Sequence, residues 1–345
     1  MTNPAQTAAG LSFEVWVGAD LMRQDQAAKL TYQESEFWGD AGLLRDFDDD
    51  PEIDREVLFT VGGRLADMAI PEGRVRELFR ERRDRANAAG HGLRIRLMVE
   101  IPALQLLPWE FIHVRQQAGN RVAEDFLALN PDYSIVRSEI LRGKVPKGPH
   151  SGVVRFVGML SDPAKTLDLH KDKDAIESAI LSLREEAKAD LVDLIWTETN
   201  SRSALGKALG RQAEVFHYSG HGAFDTSVNG GEGQLILQHK DGKPDRYPES
   251  ILATDLGAAD VRLAVLGACK TARRDGYEAW SGLALRLIRQ GIPAVIGNQF
   301  KIRKSSAKTF NTHFYLHLLS GTTVDEAITL ARIAVRREKS IEWRD

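Results

Sequence analysis

The stretch FHYSGHGAFD, residues Phe216–Asp225, places one histidine, His221, between two glycines directly after an apolar run. Glycine on both sides predicts that the backbone bends sharply there or that another group approaches it closely. A second stretch, VRLAVLGACKTA at residues Val261–Ala272, carries the only cysteine of the chain, Cys269, at the end of another apolar run. The two stretches predict two strands that each lead into a reactive side chain.

Strand-like and helix-like segments alternate through the second half of the chain. The strand-like segments are short, apolar and rich in β-branched residues, as expected of strands that are buried on both faces. Strands that alternate with helices predict an α/β fold with a mostly parallel sheet and helices on both of its faces. The predicted strands are Val153–Leu160, Leu191–Thr199, Ala213–Ser219, Arg262–Ala268 and Ile292–Phe300, and the predicted helices between them are Asp174–Ala189, Ser201–Gln212 and Trp280–Gly291.

The first half of the chain is less regular. A segment rich in glycine, proline and charge, Arg142–Gly152, is typical of a linker. It predicts a boundary between a first half at residues 1–150 and a second half at residues 151–345, and the natural chain is expected to continue past residue 345.

Composition limits the class of protein. The 345 residues carry a formal net charge of -3, which argues against a general nucleic-acid-binding protein. No apolar run approaches the roughly 20 residues that span a bilayer. One cysteine cannot form an internal disulfide, and the N-terminus lacks the pattern of a secretory signal. We therefore expect a cytoplasmic protein with no membrane or nucleic-acid partner.

The histidine and the cysteine have the chemistry of a nucleophilic site. Sites of parallel sheets form at the carboxyl ends of the strands, and His221 and Cys269 each fall just past a predicted strand. A cysteine attacks as its thiolate, and an imidazole can take up and return the proton. A tetrahedral intermediate also needs donors for its oxyanion, which the backbone N–H groups of Gly222 and Cys269 can supply.

Less specific explanations exist for each residue alone. A lone cysteine in an apolar run is usually a small buried hydrophobic residue, and a Gly-His-Gly sequence is usually a turn. A non-enzymatic scaffold therefore remains an alternative.

An α/β hydrolase or nucleotide-binding enzyme is disfavoured because neither a Gly-x-Ser-x-Gly elbow nor a phosphate loop occurs. A single cysteine and scattered histidines predict no metal site and no cofactor. The histidine precedes the cysteine by 48 residues, which is the order and spacing of caspase-type proteases.

Four segments in the same order resemble the CHAT proteases, a caspase-like family related to separase and gingipain. They are LQLLPWEFI (Leu104–Ile112), HYSGHG (His217–Gly222), LGACKTA (Leu266–Ala272) and the helix–strand–helix tail that begins at Trp280. The resemblance runs from about Leu93 to Ala334.

The resemblance implies a caspase-like α/β/α sandwich, with a degenerate caspase-like first half and a catalytic second half. It implies a cysteine endopeptidase with Cys269 and His221 as a catalytic dyad and Gly222 and Cys269 as the oxyanion donors. The segment Pro108–Glu110 would be structural. No third catalytic residue is evident in the sequence.

The same resemblance implies how the site is used. The substrate would be a specific protein, and an activating partner or a nucleotide-sensing module would switch the enzyme on in antiviral defence or cell death. Asp225 and Asp275 are candidate acidic groups of a substrate pocket. Asn298 and Gln299, at the end of a predicted strand, are further candidates for substrate contact.

Overall fold

The computed structural model of the chain describes residues 12–17, 55–99, 102–105, 107–115, 125–138, 152–187, 191–210, 212–228, 231–270, 277–299, 302 and 304–338. Contacts between residues divide the chain into two units, the first within residues 1–140 and 322–345 and the second within residues 141–321. No helix among the described residues is long and apolar enough to cross a bilayer.

Strands and helices make up most of the described residues. In chain order they are β1 (Ser12–Val17), α1 (Arg55–Ala69), α2 (Arg74–Ala88), β2 (Leu93–Val99), α3 (Pro102–Gln105), β3 (Tyr133–Arg137), β4 (Val154–Ser161), α4 (His170–Ala187), β5 (Val192–Trp196), α5 (Arg202–Leu209), β6 (Val215–Asp225), β7 (Glu232–Gln238), β8 (Pro244–Pro248), α6 (Glu249–Ala258), β9 (Leu263–Lys270), α7 (Tyr277–Arg289), β10 (Ala294–Gly297), α8 (Lys304–Leu319) and α9 (Val324–Glu338). Two 3-10 turns lie at Trp109–Phe111 and Leu127–Leu129.

The first unit contains a small parallel sheet in the order β1-β2-β3. The Pro-Trp-Glu segment has a structural role in this unit. Trp109 is fully buried, and its indole N–H donates to the carbonyl of Leu104 at 2.8 Å. Burial alone would raise the pKa of the Glu110 carboxyl, but the ion pair with Arg137 outweighs it and lowers the pKa to about 2.

Helix α9 belongs to the first unit, although the sequence-based division at residue 150 assigned it to the second half. Its Asp325 accepts two hydrogen bonds from Arg94 of β2, at 2.6 and 2.8 Å, and its Thr329 donates to the carbonyl of Tyr133 in β3 at 3.2 Å. These partners are separated by about two hundred residues of chain, so no local sequence pattern indicates the pairing.

The second unit contains a seven-stranded sheet. Five parallel strands lie in the order β10-β9-β6-β4-β5, which confirms the prediction of a mostly parallel sheet. The remaining two strands, β7 and β8, are antiparallel and extend from the end of β6. This hairpin was not predicted from the sequence, although its loop contains Asp241-Gly242, a pair typical of hairpin turns, with Gly242 at φ +86°.

Helices cover both faces of the large sheet, as predicted. On one face, Phe216 and Tyr218 of β6 share a buried cluster with Leu252 of α6 and Leu287 of α7. On the other face α4 packs against α8, whose Tyr315 contacts the rings of Phe156 and His217. The second unit is therefore a three-layer α/β/α sandwich.

Strand β6 is longer than the sequence predicted. The expected strand ended at Ser219, whereas β6 continues to Asp225 and includes His221. The reason is that β7 pairs with residues His221–Asp225 after β4 has ended at Ser161. Cys269 likewise lies inside β9 rather than past its end. Both residues lie within strands, so the prediction that they fall just past the strand ends was wrong.

Gly220 allows the close approach that the two glycines suggested, but the approaching groups belong to the protein itself. A Cβ atom at Gly220 would lie 2.4 Å from the carbonyl oxygen of Ser161 and 2.5 Å from the hydroxyl of Tyr218. That hydroxyl lies within hydrogen-bond distance of the carbonyls of His221, at 2.8 Å, and Ile236, at 3.0 Å. The glycine thus lets a buried tyrosine fix the peptide group of His221.

We expect Gly220→Ala to destabilise the second unit by about 1–3 kcal/mol, because the new methyl group overpacks against backbone and a buried ring. Gly206→Ala is the matched control, since a Cβ atom there meets nothing within 4 Å and the position lies inside α5. Alanine should stabilise that helix by up to about 1 kcal/mol. Urea unfolding of both variants measures the difference, and equal stabilities would contradict the packing described for Gly220.

Candidate active site

The two residues that the sequence singled out lie opposite each other in the sheet. In the parallel ladder between β6 and β9, His221 and Cys269 are direct register partners. Neighbouring strands lie about 4.8 Å apart, so the two backbones come as close as adjacent strands allow. Gly222 and Cys269, whose N–H groups were the predicted oxyanion donors, are one register position apart on the same two strands.

A third residue, Asp162, contacts the imidazole. It follows the last residue of β4, and its Oδ1 lies 2.8 Å from Nε2 of His221. The hydroxyl of Thr166 lies 3.2 Å from the same nitrogen. His221 is buried, with 6% of its surface exposed, so water competes little with these contacts.

The loop after β4 holds the Asp162 carboxylate in place. Pro163 follows it and cannot donate to a strand ladder, so β4 ends there. The chain then turns back, with the N–H of Lys165 donating to the carbonyl of Asp162 at 3.1 Å and the N–H of Leu167 donating to its Oδ2 at 2.6 Å.

Burial alone would raise the pKa of the Asp162 carboxyl, but hydrogen bonds from the backbone of Leu167 and Thr166 and from His221 outweigh it and lower the pKa. The ionised carboxylate can only accept hydrogen bonds. Nε2 of His221 is therefore assigned the proton, and Nδ1 carries the lone pair of the neutral ring.

A buried polar chain supports β6 below His221. Nδ1 of His217 lies 2.7 Å from the hydroxyl of Tyr315, and its Nε2 lies 2.9 Å from the hydroxyl of Ser219. Ser219 in turn hydrogen-bonds to Asp172 of α4. Burial lowers the pKa of His217 to about 3, so this ring is neutral. His217 thus ties the strand to α8 and is a supporting residue, as the sequence suggested.

Those predicted substrate contacts that the structure describes lie at the ends of two different strands. Asn298 and Gln299 directly follow β10, and both are half-buried. Asp225 ends β6, and its carboxylate accepts hydrogen bonds from the N–H and hydroxyl of Ser227 and from the amide of Gln234. Asp275 lies outside the described residues. Within the described part of the chain, no three histidine, cysteine, aspartate or glutamate residues are grouped so that they could hold a metal ion.

Comparison with known proteins identifies the family. The model of the CHAT domain matches residues 60–344, which is 285 of the 345 residues. This chain belongs to the CHAT-domain family. The family is the one that the four sequence segments resembled, so that prediction is confirmed.

One solved structure and the curated proteins complete the comparison. The CHAT chain is similar to the crystal structure of the Arg-specific cysteine proteinase gingipain R, with a TM-score of 0.42 and 9% identity, over 97% of this chain and 74% of that chain. Among curated proteins, none matches the sequence.

Sequence reasoning missed Asp162, although a usable signal was present. The criterion that selected His221 and Cys269 was a reactive side chain at the carboxyl end of a predicted strand. Asp162 meets the same criterion, because it comes two residues after the predicted strand Val153–Leu160 and directly before a proline. What the sequence lacked was the strand order, which places β4 next to β6.

Because His217 is buried in its neutral form, we expect the folded protein to lose stability in acid. Its folded-state pKa lies below the value of about 6.5 in an unfolded chain, so the stabilisation is complete above pH 6.5 and is lost as the pH falls toward 3. Between pH 7 and pH 5 the wild type should lose about 2 kcal/mol of unfolding free energy that His217→Gln does not lose. His239→Gln, at an exposed hairpin position, is the control and should behave as the wild type. Urea unfolding at the two pH values measures this, and a wild-type pH dependence that His217→Gln retains would contradict the assignment.

Asp162 should act by positioning the imidazole. In any reaction that uses His221 as its base, we expect Asp162→Asn to lower kcat by about 10²–10⁴ with little change in KM, because an amide no longer fixes the tautomer or stabilises the imidazolium. Asp162→Glu should recover part of the loss. Asp241→Asn is the control, since Asp241 also pairs with a histidine, His239, but in an exposed hairpin loop. Steady-state kinetics across a pH series decides, and equal kcat values for Asp162→Asn and Asp241→Asn would refute the role.

Proposed function

We propose that this CHAT chain is a cysteine endopeptidase that cleaves a specific protein. The observation that carries the proposal is the position of Cys269 and His221 as direct partners on neighbouring strands, with Asp162 bound to the imidazole. A scaffold that only binds partners needs no carboxylate aligned on a histidine beside the single cysteine of the chain. For that reason the peptidase is favoured over the silent scaffold.

The first half of the reaction forms a thioester. Nδ1 of His221 takes the proton of the Cys269 thiol, and the thiolate attacks the carbonyl carbon of the scissile peptide bond. The N–H groups of Gly222 and Cys269 donate to the oxyanion of the tetrahedral intermediate. Asp162 stabilises the imidazolium through Nε2 and holds the ring in place.

The second half releases both products. The imidazolium of His221 protonates the leaving amine, and the carbon–nitrogen bond breaks to give the thioester and the first product. His221 then takes a proton from a water molecule, which attacks the thioester. Collapse of the second intermediate releases the new carboxylate and restores the Cys269 thiol.

The setting of the reaction is part of the proposal. We place the protein in the cytoplasm, where a single cysteine stays reduced. Its family resemblance and its fixed site favour a protease that an activating partner or a nucleotide-sensing module switches on, in antiviral defence or cell death. The substrate is a protein, and no cofactor takes part.

Cleavage of a proteome-derived peptide library tests the function. New termini are identified by mass spectrometry with the wild type, Cys269→Ala and His221→Ala, with and without lysate from cells under phage infection as the source of an activator. The wild type should cut at a restricted set of sequences, and both variants should lose all of these cuts. Cuts that persist in Cys269→Ala, or no cuts under either condition, would oppose the proposal.

A further inference from the structure

Four neighbouring strands each contribute one residue to a single row of register partners that runs across the sheet at the candidate site. Cys269 of β9 pairs in register with His221 of β6, His221 with Ile236 of β7, and Ile236 with Arg246 of β8. The row therefore continues beyond the histidine, on the side away from the cysteine.

We propose that the β7–β8 hairpin binds the part of the substrate that follows the scissile bond, and that it favours an apolar residue first and an acidic residue about three positions after the cut. The inference rests on the proposed peptidase function. It names the substrate sequence that this site would select on its leaving-group side.

The direction follows from the chemistry. The thiolate attacks from β9, and the histidine on β6 must protonate the nitrogen of the scissile bond. That nitrogen therefore lies toward β6, and the chain that follows it continues past His221 over β7 and β8. The acyl part of the substrate runs the other way, over β9 toward Asn298 and Gln299 beyond β10.

Strand spacings give the register of the substrate on the row. Neighbouring strands are about 4.8 Å apart, and an extended chain advances about 3.3 Å per residue. A scissile bond between Cys269 and His221 then puts the first two following residues near Ile236. The third or fourth residue reaches Arg246.

The surface beside His221 is apolar and rigid. Ile236 and Ala223 are half-buried, so each keeps some surface open to a ligand. The carbonyl of Ile236 accepts a hydrogen bond from the hydroxyl of Ser161 at 2.7 Å, and the hydroxyl of Tyr218 lies 3.0 Å from it. These contacts fix the backbone of β7, so an apolar side chain can pack there without ordering a loop first.

The next position on the row carries a positive charge. Arg246 is exposed, and in the described part of the chain its guanidinium makes one hydrogen bond, from Nη1 to Oε1 of Gln234 at 3.2 Å. The nearby carboxylate of Asp225 accepts its hydrogen bonds from Ser227 and Gln234, and the charge of Arg246 acts on it without a direct hydrogen bond among the described contacts. The unused donors of Arg246 can hold a substrate carboxylate with two parallel bonds.

A pair of peptides tests the selection. They share one sequence with an apolar residue after the cut, taken from the library or, if the library shows no cuts, fixed in advance, and they differ by Asp or Lys at the third and fourth following positions. The wild type should cleave the Asp peptide with about tenfold higher kcat/KM, since a charge-assisted pair contributes about 1.4 kcal/mol or more. Arg246→Glu should reverse the preference. Lys240→Glu makes the same charge change on the exposed hairpin loop, away from the row, and should keep the wild-type ratio.

Binding to the inactive Cys269→Ala variant separates this inference from the proposed function. Fluorescence anisotropy with the two peptides should show tighter binding of the Asp peptide, lost when Arg246→Glu is added. If nothing is cleaved but this binding difference appears, the peptidase proposal fails and the surface stands. The inference would be overturned if the wild type cleaved the Asp and Lys peptides with nearly equal kcat/KM. It would also be overturned if a preference for the Asp peptide survived Arg246→Glu in both cleavage and binding.

Discussion

The site depends on a change of partner along β6. Up to Gly220 this strand pairs in parallel with β4 on one side, and from His221 onward it pairs in antiparallel with β7. The end of β4 therefore lies beside His221, and the first residue after it, Asp162, reaches the imidazole. On the other side β9 remains in register and brings Cys269 opposite the histidine. The exchange of neighbours thus brings three reactive residues to one edge of the sheet.

One face of β6 is polar because its side chains hydrogen-bond to the helices that cover it. His217 and Ser219 point into the layer of α4 and α8, where Tyr315 and Asp172 satisfy their hydrogen bonds. A buried polar group without a partner costs about 1–3 kcal/mol, so the chain Tyr315–His217–Ser219–Asp172 must form as a unit. It fixes the strand directly below His221, while Tyr218 fixes the peptide of His221 from the opposite face.

Sequence patterns predicted those features of the fold that depend on residues close together in the chain. The alternation of strands and helices predicted the mostly parallel sandwich, and the motifs around His221 and Cys269 indicated the family. Sequence patterns did not predict the features that depend on contacts between residues far apart in the chain. The length of β6 depends on β7, the role of Asp162 depends on strand order, and the location of α9 depends on Arg94 and Tyr133, about two hundred residues earlier.

The proposed reaction requires that Cys269, His221 and Asp162 act as one unit. The most direct test is the rate at which a peptide acyloxymethyl ketone alkylates Cys269, followed by intact mass in the wild type, His221→Ala and Asp162→Asn. We expect one adduct in the wild type, a rate lower by orders of magnitude in His221→Ala, and an intermediate rate in Asp162→Asn. Equal rates in all three proteins would mean that Cys269 is only an exposed thiol and that neither His221 nor Asp162 activates it.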